Sequence, residues 1–564
     1  MYKLTALLLT IILLTGSVCA CGTKKNTAPT ENGVSTTGPQ ETEPPVDPAL
    51  PEVAFDLKYR CADGYTMDQH NDMTKTDYRA AVRYYLEGGY REYSVSEIGG
   101  IFSTTLIGDN DYKTVTFNTA KSELYLGASA SGAILPSKTE LGDKICDVTI
   151  TQKKSYEING MGYILRLEDG SFIVVDGGYV QDASLLYDAL CRLNGSKDGI
   201  HIRAWLITHS HDDHCQAFSK FAKDHGNSVK LDYFITSPIM YSANNPPYLT
   251  KDYKSDLEKF DGAVFCGAHT GMVFSFGELR IEILFGPEHN YKKDAPSDSN
   301  ESSMVFRFVN GDGSMTVLGD CGVRSCDWMV DSYGEALKSD MVQISHHGCE
   351  TATAELYDMI AAETCFWPCS ESLMASYRGE LVKQHIIEAE YSKIHLLHSY
   401  QDITKPLSYK AKTPKYLDIL PTSADGISAS AYVKKVRVEN GVLKFDTISI
   451  KNQFDPYISF VLDNVDTAEY NAIRIVAKSE TCGESSAVFF TCGNDTALKF
   501  TANKSSALGV MGASDDGTTT YIAYLADIKG GCSGKLSSIR LDFGAKGGQT
   551  VEIYSVELFY LDVN

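Results

Sequence analysis

A chain of 564 residues is too long for one hydrophobic core and predicts three or four folded units. Its hydrophobic fraction of 43% is that of a soluble globular protein. The formal net charge of -22, from 73 acidic against 51 basic residues, excludes the broad basic surface by which nucleic acid is usually held.

The first apolar run, residues 4–14 behind Lys3, is too short to span a bilayer and reads as the core of a secretory signal, residues 1–20. Val18-Cys19-Ala20-Cys21 matches a lipobox, so Cys21 is the expected acylated N-terminus, with membrane attachment through lipid alone and a place on the extracellular face of a bacterial membrane. Residues 21–52, rich in Thr, Pro, Gly and Glu, cannot bury a core and read as a tether. Residues 53–140 read as a small α/β unit: a helix over 77–87 closed by Gly88-Gly89, then strands over 100–106, 112–117 and 123–127. Tyr84, Tyr85, Tyr90 and Tyr93 are expected in its core.

From 145 to 425 strands alternate with helices. Residues 163–167 and 172–176 form a hairpin around Asp169-Gly170. A buried strand over 202–208 runs into His209-Ser210-His211-Asp212-Asp213-His214, and a helix is expected from Gln216. Three imidazoles and a carboxylate so close together are ligands suited to a borderline cation. Further strands end at Asp176-Gly177-Gly178, Gly319-Asp320 and His346-His347-Gly348, so the candidate groups gather at one rim of a sheet. Beyond 428 helical signals vanish. Short strands separated by Gly, Asp and Ser predict an all-β sandwich of jelly-roll type over 428–564. Tyr457, Tyr521 and Tyr524 are its candidate sugar-stacking residues. Setting Cys19 and Cys21 aside leaves thirteen of fifteen cysteines, an odd number without framework spacing, and mostly reduced thiols are expected.

Taken in order, Asp176-Gly177-Gly178, the His-x-His-x-Asp-His run, Gly319-Asp320 and His346-His347-Gly348 resemble a metallo-β-lactamase-fold hydrolase. Within that family the likeness is to the metal-binding domain of the DNA-uptake competence protein and to bacterial phosphorylcholine esterases, which share a segment like Asn300-Glu301-Ser302-Ser303-Met304-Val305. The resemblance covers about half of the chain and implies an αββα sandwich. It implies one metal on His209 and His211, a second on Asp213 and His214, and Asp320 bridging them. His346 is assigned as the remaining ligand and His347 as a substrate-facing or proton-donating group, with the reverse order open. Asp213 and His347 are the catalytic candidates, and Asp176 is expected to orient the ligand histidines from behind. A further histidine is often supplied to the first metal, for which His269 and His289 are the candidates, so that site is weak or empty if neither serves. His398 is a candidate for the site rim, while His201, His225, His385 and His395 fit no ligand position.

The implied cofactor is zinc, as one or two ions, with manganese or iron as alternatives. Metal-bound hydroxide would then cleave a phosphodiester or ester in an extracellular, glycan or cell-wall substrate. No Gly-x-Ser-x-Gly elbow or P-loop competes. The alternatives are a nuclease-like activity and a non-catalytic glycan-binding surface lipoprotein.

Overall fold

The computed structural model describes residues 58–560 apart from short segments, the longest being 238–252, 290–299, 374–379, 409–415, 480–485 and 493–499. The expected signal, Cys21 and the tether lie outside the described residues.

The first sheet has six antiparallel strands: β1 (Lys58–Arg60), β2 (Thr66–His70), β3 (Arg91–Ile98), β4 (Ile101–Ile107), β5 (Tyr112–Asn118) and β6 (Glu123–Ala128). Helix α1 (Lys75–Glu87) starts at a capping box, in which the Thr74 side chain and Asp77 satisfy each other's backbone amides. Its Tyr78 and Ala81 pack on Leu106, Val115 and Phe117. Tyr84, expected in the core, is instead 46% exposed, because it lies on the outer side of this helix.

Two seven-stranded sheets follow. In the first, β7 (Thr149–Gln152), β8 (Gly162–Arg166) and β9 (Phe172–Asp176) are antiparallel, and β9 continues in parallel into β10 (His201–Ile207), β11 (Lys230–Thr236) and β12 (Val264–Gly267). Every residue of β9 is buried, as a strand covered on both faces requires. Helices α2 (Asp182–Asn194) and α3 (Asp212–His225) place Leu186, Leu190, Phe218 and Phe221 against Trp205 and Phe234 on one face. The other sheet begins with antiparallel β13 (Val273–Phe276), β14 (Leu279–Phe285), β15 (Val305–Asn310) and β16 (Gly313–Val317). It ends in parallel β17 (Met341–Gln343), β18 (Thr364–Trp367) and β19 (Ile394–Leu397). Leu165, Val175 and Leu206 of the first sheet share a core with Ile281, Phe306 and Val317 of the second. The Ser/Thr-rich face of the six-stranded sheet meets the second, where Ser96 Oγ donates to the Gly271 carbonyl at 3.0 Å and Asn118 Nδ2 to Ser332 Oγ at 2.8 Å.

The region beyond 416 is β-rich, with two antiparallel sheets enclosing their own apolar cluster. Tyr521, a candidate for stacking on sugars, is 0% exposed in that cluster: its strand turns this ring inward. Tyr457 lies beneath the Arg540 guanidinium at 3.7 Å, and the Tyr524 side chain lies outside the described set. One disulfide, Cys492–Cys532, occurs among the described residues.

Candidate metal centre

The groups singled out in the sequence meet where strands of both large sheets end. Strand β10 stops at Ile207, and the helix begins earlier than expected, at Asp212 with His211 as N-cap. Asp213 and His214 therefore occupy the first helical turn, where the positive end of the helix favours acidic side chains. Strand β16 ends three residues before Asp320, and β17 three residues before His346.

His209, His214 and Asp320 form one set whose ligand atoms lie within 4.8 Å of one another, and Asp213, His214 and His347 form a second. His214 Nε2 is 3.1 Å from Asp320 Oδ1 and 3.2 Å from His347 Nε2. His347 Nε2 is 3.2 Å from Asp213 Oδ2, and His209 Nε2 is 3.7 Å from Asp320 Oδ2. His211 stands beside His209, with ring centroids 4.8 Å apart, but outside both sets.

The hydrogen bonds behind these rings decide what the cluster can hold. Asp176, fully buried, accepts from the Thr208 amide and hydroxyl, both at 2.8 Å, and from His214 Nδ1 at 2.7 Å. His347 Nδ1 donates to the Pro368 carbonyl at 2.8 Å. With the Nδ1 proton of each neutral ring so engaged, both Nε2 lone pairs point at one another across 3.2 Å. That contact is repulsive unless a proton or a cation lies between them. His209 Nε2, buried, also lacks a hydrogen-bond partner among the described residues. Imidazole nitrogens and carboxylates in this arrangement fit zinc, and equally manganese or iron.

The charges agree with that reading. Burial alone would raise the Asp320 carboxyl, but His214 and His347 hold it well below the ordinary range. Asp213 is similarly lowered to about 2, burial being outweighed by His347 and His214. Burial pushes the His214 ring down, yet Asp320 and Asp176 raise it well above its usual value: without a cation, a proton takes that place.

The two neighbouring histidines exchange the places expected of them. His347 is 2% exposed and belongs to the second set, whereas His346 is 29% exposed, with Nε2 3.9 Å from Asp320 and 3.4 Å from Asn300 Nδ2. Both residues have left-handed backbone, φ 49° and 57°, which turns successive side chains away from the directions an extended chain would give. Gln343, not singled out in the sequence, holds this bend. Its Oε1 accepts from the Leu318 and Gly319 amides at 2.8 Å, and its Nε2 donates to the Gly319 and Ile344 carbonyls.

Neither candidate for a further histidine joins the set. His269 is buried and stacked on Tyr65 at 3.5 Å, and His289 stacks on Trp328 at 4.2 Å, near the six-stranded sheet. His398 is buried, 2% exposed, close enough to His347 and the Pro368 carbonyl for both to act on its ring, but it belongs to neither set. His201 and His385 pair with Asp232 and Asp358, His225 stacks on Tyr187, and His395 accepts from Trp367 Nε1.

The His289 pocket yields a pH prediction. Burial lowers His289 to about 4. Neighbouring Glu288, which burial alone would raise, is lowered to about 2 by His269 and His289. A group whose folded pKa is depressed leaves the unfolded chain binding more protons as pH falls. Stability from His289 should thus decline between about pH 6.5 and 4, and that from Glu288 between about pH 4.5 and 2. Melting temperatures across pH 7 to 4 should fall less steeply in His289→Gln than in the parent. Parallel curves would refute the assignment.

Residues 158–287 match the model of the Metallo-beta-lactamase superfamily. Among solved structures, the chain is similar to CmlA, a diiron beta-hydroxylase from Streptomyces venezuelae, at 14% identity and a TM-score of 0.30, over 48% of this chain and 55% of that one. It thus spans about half the length of CmlA. It is also similar to a family 29 carbohydrate binding module, at 14% identity and a TM-score of 0.18, over 26% of this chain and 88% of that one.

Proposed function

We propose, from the premise that this chain carries a metallo-beta-lactamase superfamily domain, that it is a metal-dependent hydrolase of phosphodiesters or esters. The observation that carries this reading is the convergence of His214 Nε2, His347 Nε2, Asp213 and Asp320, a place that a cation can fill in lieu of a proton. His214, whose one free lone pair serves a single ion, would hold a metal with Asp213, Asp320 and His347, and His209, with Asp320 and with His211 beside it, would hold another. Zinc is the proposed metal. A bound cation would lower the pKa of water to about 7 and polarise the oxygen under attack.

The protein's own groups supply the rest. Asp176 fixes the His214 tautomer, and the Pro368 carbonyl fixes that of His347. Asp213 and Asp320 stay ionised through the physiological range. His346, open to solvent beside Asn300, is the group that meets the substrate.

The phosphorylcholine esterase and competence-protein likeness favours a phosphodiester, and the signal and Cys21 in the sequence favour attachment to the outer face of a membrane. A glycan-bearing or cell-wall substrate is the proposed target. Metal analysis followed by assays on bis(p-nitrophenyl) phosphate, p-nitrophenyl phosphorylcholine and a lactone tests the proposal. Metal-dependent turnover of one of the two phosphodiesters is expected. Metal-loaded protein inert towards all three would refute it.

A further inference from the structure

We infer that Asn159 is a positioning residue for Asp213, held in place by a hydrogen-bond chain that ends in the buried Lys153–Asp182 pair. The inference rests on the proposed role of Asp213 as a metal ligand. It concerns how that carboxylate is aimed.

Asp213 projects from the first turn of α3, where only its neighbours can select one orientation. Asn159 Nδ2 donates to Asp213 Oδ2 at 2.7 Å, the same oxygen that faces His347 Nε2 at 3.2 Å. An amide can present either its NH2 or its oxygen. Tyr179 removes that ambiguity: its hydroxyl donates to Asn159 Oδ1 at 3.1 Å, leaving the NH2 for the carboxylate. The carboxylate thus has one oxygen shared between amide and imidazole, while Oδ1 lies 3.9 Å from His214 Nε2.

Asn159 and Tyr179 come from separate loops, and Asp182 ties those loops together. Its carboxylate accepts from Lys153 Nζ and the Tyr156 amide at 2.8 Å, the Tyr179 amide at 3.0 Å and Ser155 Oγ at 3.2 Å. The Lys153 and Asp182 side chains are both 0% exposed, so water does not compete for these bonds. A Cβ at Gly178, where φ is +91°, would strike the same carboxylate at 2.5 Å. The backbone closes the arrangement, with the Met161 amide donating to the Asp213 carbonyl at 2.9 Å and the Gly178 amide to the His214 carbonyl at 3.3 Å. A buried ion pair with all its oxygens engaged here serves geometry: it carries one polar side chain to one ligand.

The test is zinc titration against a chromophoric chelator, on the folded chain of the parent, Asn159→Leu and Tyr179→Phe. Two binding constants are expected for the parent. In Asn159→Leu the one assigned to the Asp213 set should weaken roughly 10- to 100-fold while the other holds, as when an outer partner of a ligand is removed. Tyr179→Phe should weaken the same constant by less, because the amide remains but is free to flip. Unchanged constants in Asn159→Leu overturn the inference and leave the hydrolase reading standing. A parent that takes up no zinc overturns both. Should Asn159→Leu fail to fold, Tyr179→Phe decides: a weakened Asp213-set constant supports the inference, and unchanged constants overturn it.

Discussion

His214→Ala should abolish metal uptake in the Asp213 set and weaken it at the neighbouring one, because this ring supplies a ligand to the first and lies against the Asp320 carboxylate that serves both. Removing only an outer partner of a ligand weakens binding by roughly 10- to 100-fold. Loss of a ligand itself should therefore exceed about 100-fold and take turnover to background. The side chain is buried between Asp176 and Asp320, so the truncation also leaves two carboxylates facing a void without their counter-group. His211→Ala is the matched control: its ring lies outside both sets, and a smaller loss is expected. Metal content after equilibrium dialysis reads the difference directly. His214→Ala protein that retains parental metal content would refute the ligand assignment.

Asp176→Asn should produce the second large effect, and for a different reason. The residue has φ 53°, a conformation that Asn tolerates well, so the backbone is preserved while the charge is lost. The amide oxygen can still accept from Thr208, but the ring proton on His214 Nδ1 loses its anionic partner. The ligand becomes a weaker base, and metal affinity should fall roughly 10- to 100-fold with the fold intact. Asp176→Ala should add a stability loss of about 1–3 kcal/mol, since the buried Thr208 amide would have no acceptor. Zinc titration and chemical denaturation separate the two variants. Equal affinity in Asp176→Asn and the parent would show that position, not charge, is what this carboxylate supplies.

Much of the candidate site is legible in the residue types, because groups able to hold a metal are chemically distinctive and come from few places in the chain. His209, His214, Asp320 and the His346-His347 pair each stand just past an apolar strand, and a strand period is visible in sequence. The order of His346 and His347 was not readable. It depends on two left-handed residues in succession, which nothing in the residue types announces. Gln343 and Asn159 were missed for another reason. Each is an ordinary amide whose role arises only when loops distant in sequence approach, and the Pro368 carbonyl that orients His347 leaves no trace in side-chain identity at all. Among the strands, β3 is hard to read because three of its eight residues, Arg91, Glu92 and Glu97, are charged and none is buried, while β4 carries no charge and β5 a single lysine. Tyr521 illustrates the converse: an aromatic in a β-rich region reads equally as platform or core until its strand's inward face is known.

The ligand sets draw His209, Asp213 and His214 from the end of one large sheet, and Asp320 and His347 from the end of the other. A captured ion would therefore act as a clasp between two layers otherwise joined by apolar contact and a few hydrogen bonds, such as that from the Met304 amide to the Thr208 carbonyl. Free ion at a thousand times its dissociation constant would add about 4 kcal/mol to the resistance of the pair to separation. Stripping it with a chelator should expose, ahead of global melting, the seam along which the two layers part.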